Sequence, residues 1–178
     1  MRWTGKYYIL SACVETVFVA ANAIFSRYQL QTPTWVTVIA FLMAGLGYSG
    51  MLTTTLLALI SAVEHKQQAV VTSASYAFRS TGSAIGITTS SAVFQNVLKR
   101  RLIDVLGHRK GGLEAIAELR DSLEAIKALP LSWQSEVRDV YMEALRAVFL
   151  TTLGLSIVGA CASLFMREHT LYGTLARK

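Results

Sequence analysis

The sequence predicts an all-α, polytopic membrane protein, and three observations carry that expectation. Hydrophobic residues make up 53% of the 178 residues and charged residues only 16%. Mean hydropathy is positive, at +0.43. Charge gathers at the termini and between Lys99 and Arg146, leaving long stretches almost bare. Such a division suits a bilayer and argues against a soluble enzyme. The net charge of +6 does not point to nucleic acid, because the basic residues neither interleave with stacking aromatics nor sit on a reader motif. Anionic lipid headgroups are the partner that such charge fits.

Four segments are long enough to cross a bilayer, which takes about 20 apolar residues. The first spans residues 7–25. Trp3, Tyr7 and Tyr8 mark one interface and Arg27 closes the other end. The second, 34–63, opens at TPTW, where Thr32 is expected as the N-cap and Pro33 as the first helical residue. Its middle carries Gly45, Gly47 and Gly50, expected to form a flexible bend. EHKQQ is a polar turn, and the third span covers 69–97. The fourth, 147–166, stops at Arg167, Glu168 and His169.

The connector, 98–146, is not featureless. After Gly111-Gly112, the residues Leu113, Ile116, Leu119, Leu123 and Ile126 recur at helical spacing among charges. Pro130 ends that helix, and Ser132 is expected to cap a second one that continues into the last span. Two surface helices packed on the protein or the membrane follow from this pattern. With four spans both termini share one side. Simple counting of basic residues favours the connector's side as cytosolic, but the rule weakens away from the span ends and does not decide the side.

Polar groups inside the spans carry the functional signal. Arg79 lies about ten residues into its span, or about 15 Å deep at 1.5 Å per residue. A guanidinium there costs roughly 3 kcal/mol unless it faces protein or a wet cavity. Thr72, Ser75, Arg79, Gly82, Ser83, Gly86 and Ser90 share one small, polar helix face, opposite Val71, Phe78, Ile85 and Val93. Gly82-xxx-Gly86 is also the spacing that brings helix backbones together. Glu15 lies near the middle of the first span, with Ser11 and Asn22 on its side. Three readings stay open: a Glu15–Arg79 charge pair, a proton-carrying Glu15, or two unrelated groups. Tyr48, Thr53, Thr54 and Thr55 flank the glycines of the second span, although threonines in membrane helices more often bond to their own backbone.

No catalytic constellation is present. His65, His108 and His169 are solitary, Cys13 and Cys161 lie apart in apolar segments, and neither a disulfide nor a metal site follows. No P-loop or dinucleotide fingerprint occurs, so no cofactor is expected. The first residues lack the pattern of a cleaved signal peptide.

The run YAFRSTGSAIGITTSSAVFQNVL, preceded by GYSGMLTTTLLALISAVEHKQQAVVTSAS, resembles the closing helices of fungal major facilitator transporters. The nearest branch is the fourteen-helix drug:proton antiporters, including those similar to vacuolar basic amino acid permeases. RWTGKYY and MREHTLYGTLARK fit the same family. The resemblance implies that residues 1–178 are part of a C-terminal six-helix bundle, a fragment lacking the N-terminal transporter helices. It implies cytosolic termini and a lumenal or extracellular connector, in a vacuolar or plasma membrane. The second and third spans would line the central cavity, with the first and fourth as supports. Substrate-cavity candidates are then Arg79, Ser75, Ser83, Tyr48 and Thr54. Gly82, Gly86, Gly47 and Gly50 are the helix-packing candidates, and small-molecule substrate and protons are the partners. The implied function is transport of drugs or basic amino acids, coupled to protons and inert in this piece alone. Met1 falls where the family has a loop, which fits a truncated gene or degenerate copy. The alternative is a stand-alone four-span scaffold that oligomerises through Gly82-xxx-Gly86.

Overall fold

The computed structural model describes residues 8–108, the isolated positions 112, 116, 119 and 126, and residues 130–165. Four helices form there: α1 (Tyr8–Phe25), α2 (Thr34–Ser61), α3 (Gln68–Leu106) and α4 (Leu131–Ser163). A short 3₁₀ turn, His65–Gln67, occupies the polar EHKQQ segment. The RWTGKY and MREHTLYGTLARK ends lie outside the described residues.

α1 is the hub. It packs on α2 and on α4, whereas α2 and α4 do not touch each other. Its length of 18 residues matches a hydrocarbon core about 30 Å thick. Ser11, Glu15, Ala21, Asn22 and Phe25 are its buried residues. From α2 the stripe Ala40, Gly47, Thr54 and Ala58 is buried, a spacing of sevens and fours that keeps one face toward a partner helix. At one end of α1, the Phe25 ring meets Phe41 of α2 at 5.1 Å and Phe149 of α4 at 5.6 Å. Tyr28, just beyond α1, closes this cluster at 5.4 Å from Phe25. Offset and tilted ring pairs of this kind add to the area they bury.

The glycines of α2 do not break it: the helix is continuous from Thr34 to Ser61, with no interruption at the expected flexible bend. A Cβ on Gly47 would stand 2.8 Å from the backbone of Phe18, and one on Gly50 would stand 2.6 Å from Val14. Hydrogen is the side chain there because the Phe18 backbone and the Val14 side chain of α1 occupy the space. Gly45 faces open space instead.

Both expected caps shift, the first by one position and the second by two. Pro33 is the N-cap of α2, in extended conformation, and no side chain caps the helix. Thr32 looks the other way, its Oγ1 accepting from the Gln29 N–H at 2.9 Å. Likewise α4 begins at Leu131 after Pro130, so Ser132 is inside the helix rather than its cap. In each case proline's fixed φ, and not a hydroxyl, sets the start.

α3 does not end at Val97 but runs for 39 residues to Leu106. Its last turns carry Leu98, Leu102 and Leu106, all essentially inaccessible, against Val137, Val140, Tyr141 and Ala144 of α4. Ile116, Leu119 and Ile126 join this cluster, so these three positions of the connector's first helical pattern pack on protein. Leu113 and Leu123 lie outside the described residues. The Tyr141 hydroxyl donates to the Leu119 carbonyl. Arg101 and Glu143 form an exposed ion pair at 2.9 Å, worth at most about 1 kcal/mol. As expected, α4 runs unbroken from the connector into the last span.

Among the described residues three helices are long and apolar enough to cross a membrane: Tyr8–Phe25, Thr34–Ser61 and Trp133–Ser163. α3 is long enough, but serine, threonine, glycine and Arg79 through its middle dilute its apolar character.

Candidate functional site

α3 packs on α4 and, more lightly, on α2, and its backbone does not come close to α1. It meets α4 through its C-terminal turns, and its contact with α2 is the smallest of the four helix–helix contacts. The result is an open cleft of about 650 Å³ between α2 and α3. Such a volume falls in the range of small-molecule sites.

Four of the five residues expected at a substrate cavity line this cleft: Tyr48 from α2, and Ser75, Arg79 and Ser83 from α3. The fifth, Thr54, does not. Its side chain is buried and its hydroxyl donates to the carbonyls of Gly50 and Met51 at 2.9 and 3.2 Å. Thr55 is the threonine that reaches the cleft, with its own hydroxyl on the Met51 carbonyl at 2.7 Å. Threonines in apolar helices bond back to the preceding turn, so hydroxyl count alone overstates the polarity of this wall. The remaining walls are mostly apolar, including Met51, Leu52, Leu59, Val71 and Phe78. Val71 and Phe78 belong to the face set opposite Arg79 in the helical pattern. They reach the cleft because it wraps more of α3 than a single narrow stripe.

Arg79 is half-buried. Its Nη2 donates to the Leu52 carbonyl of α2 at 3.4 Å, and its guanidinium carbon lies 5.5 Å from the Tyr76 ring centroid. The first contact is long for a hydrogen bond; the second is a cation–π contact within the usual range. Ser83 donates back to the Arg79 carbonyl at 3.0 Å.

Glu15 and Arg79 are not brought together. The α1 and α3 backbones do not come close, and among the described residues no ion pair joins Glu15 to Arg79. Glu15 instead faces α4, where it accepts a hydrogen bond from the Ser163 hydroxyl. Ser11 and Asn22 share its buried face. Asn22 donates to the Phe18 carbonyl at 2.9 Å, while the Ser11 hydroxyl has no partner. The charge-pair reading of these two groups is therefore not the arrangement seen.

Ser163 has one proton and two acceptors, Glu15 and the Ala160 carbonyl at 2.8 Å. Ser163→Ala is expected to lower stability by about 1–2 kcal/mol, because Glu15 is left without a donor in a buried seam. Glu15→Gln is expected to keep stability, since the amide can donate to Ser163 and free its proton for Ala160. Thermal unfolding in mild detergent measures both; equal losses in the two variants would remove the hydrogen-bond explanation.

Gly82 and Gly86 line no helix crossing among the described residues. A Cβ at either meets nothing within 4 Å. No group of histidine, cysteine, aspartate or glutamate that could hold a metal occurs among the described residues.

Comparison with known proteins gives the family context. The family described as PUCC protein matches residues 3–113. A multidrug resistance protein of Schizosaccharomyces pombe is 29% identical over 99% of this chain and 34% of its own length. An uncharacterized MFS-type transporter of Mycobacterium tuberculosis is 26% identical over 94% of the chain and 24% of its own length. A vacuolar membrane amino acid uptake transporter, again of S. pombe, is 28% identical over 94% of the chain and 29% of its own length. The chain thus spans about a quarter to a third of the length of these curated relatives. No solved structure matches it.

Proposed function

The chain belongs to the PUCC protein family and its relatives are MFS-type transporters, not enzymes; from that premise we propose that it is part of the C-terminal bundle of a proton-coupled efflux or vacuolar transporter for drugs or basic amino acids. As an integral, multi-pass membrane protein it contributes one wall of the substrate cavity and is inert as a transporter alone. The observation that supports this most directly is the cleft between α2 and α3. It gathers Tyr48 of α2 with Ser75, Arg79 and Ser83 of α3 in about 650 Å³, and α3 is, among the described residues, the long helix too polar to be counted with the plainly apolar spans. Transporters of this class place substrate near the bilayer midplane between bundles. An arginine in a span is best accommodated facing such a cavity.

Cysteine accessibility tests the reading. In a background with Cys13 and Cys161 replaced, cysteines at Ser75, Arg79 and Ser83 in membrane vesicles are expected to react with a water-soluble thiol reagent. Cysteines at Ile85 and Ile87, which point away from the cleft lining, are expected to stay unlabelled. The reverse pattern would mean that lipid, not water, fills the α2–α3 cleft.

A further inference from the structure

Resting on that reading of the cleft, we infer that Arg79 is the anchor for a carboxylate, so that the site takes small molecules bearing one and discriminates against purely cationic ones. A guanidinium presents five N–H donors in a planar fork and cannot shed its charge. Within the chain Arg79 uses them on one long bond to the Leu52 carbonyl and on the face of Tyr76. The fork is left largely unspent inside a mostly apolar cleft. Bidentate pairing with a carboxylate matches that geometry better than any neutral acceptor.

The second observation is what the cleft does not contain. None of the residues lining it is an aspartate or glutamate, and the acid of the neighbouring helix, Glu15, is turned toward Ser163 of α4. On this wall of the cavity the guanidinium therefore faces no carboxylate counter-charge. A cationic group brought beside Arg79 is repelled, and in a medium of low dielectric that repulsion is strong. The apolar lining, with Phe78 and Tyr48 among it, suits the carbon skeleton of the same ligand. Rival sources of the carboxylate are a side chain from the helices that complete the cavity or from a second copy of this chain.

Matched pairs of probes decide. The purified chain in nanodiscs is titrated calorimetrically with L-arginine and agmatine, and with L-phenylalanine and phenethylamine; each pair differs by the carboxylate. In at least one pair the carboxylated member is expected to bind about tenfold or more tightly than its amine. Arg79→Ala is expected to erase that preference and Arg79→Lys to retain part of it. Equal binding of acid and amine to the native chain overturns the inference while leaving the cleft as a binding site. Binding of none of the four overturns the cleft reading and the inference with it. An oligomer that Arg79→Ala disperses, with no probe bound, assigns the anchor to a partner chain and also overturns it. The comparison on the native chain needs no variant, so a folding defect in Arg79→Ala would not spoil it.

Discussion

Arg79→Ala, introduced into the complete transporter proposed above, is expected to abolish transport and to leave the protein in the membrane. The first half follows from what the guanidinium faces. It is the charged group of a cleft otherwise lined by hydroxyls and apolar side chains. Truncating one partner of a desolvated charge pair costs about 2 kcal/mol or more, at least roughly thirtyfold in affinity. The second half follows from how little of the fold depends on it. Arg79 gives α2 one hydrogen bond at 3.4 Å, and α2–α3 is already the smallest helix contact. No buried carboxylate is orphaned by its loss, because Glu15 has Ser163. Uptake in vesicles and quantitative membrane expression, measured together, separate these effects. Loss of expression, with transport per molecule preserved, would make Arg79 a structural residue. Arg79→Lys should fall between, keeping the charge but losing the planar fork.

Periodicity and composition made the helices legible, while partners across space were not. The first two spans and the unbroken passage from connector to last span were readable because long apolar runs and helical spacing have few other meanings. The extension of α3 past Val97 was not. Leu98, Leu102 and Leu106 recur every four residues, but lysine and arginine at 99–101 look like the end of a span. Only the α4 face that buries those leucines explains why the helix continues. Glu15 was recognisable as a buried acid from its position among apolar residues, yet nothing in a linear string says that its donor lies 148 residues away. Arg79, Ser75 and Ser83 were legible as one face because three- and four-residue steps fix them to a single helix. Thr54 and Thr55 differ by one position, about 100° around α2, and only packing against α1 decides which of them reaches the cleft. The glycines show the same limit: identical in the string, they split into Gly47 and Gly50 at a crossing and Gly82 and Gly86 in open space.

That split makes the second large effect. Gly47→Ala is expected to destabilise the chain by about 1–3 kcal/mol, the usual cost of forcing a methyl group into a packed site. The atoms in the way are the Cα, N and Cβ of Phe18 at 2.8 Å, none of which can move without shifting α1. At Gly50 the obstacle is the Val14 side chain at 2.6 Å, which is β-branched and stiff, so Gly50→Ala should fall in the same range or just below. Between helices in lipid there is little hydrophobic force to restore contact once the backbones are parted, because association depends on close packing itself. The separation would also spread to α4, since α1 is the helix both neighbours pack on. Gly45→Ala and Gly82→Ala supply the controls. Each adds a methyl group in open space and gains up to about 1 kcal/mol of helix propensity, so neither should lower the unfolding temperature. At about 2–4 °C per kcal/mol for a chain of this size, detergent melting curves resolve the two classes. Four glycine variants with indistinguishable midpoints would show that α1 and α2 are held by something other than backbone contact at this crossing.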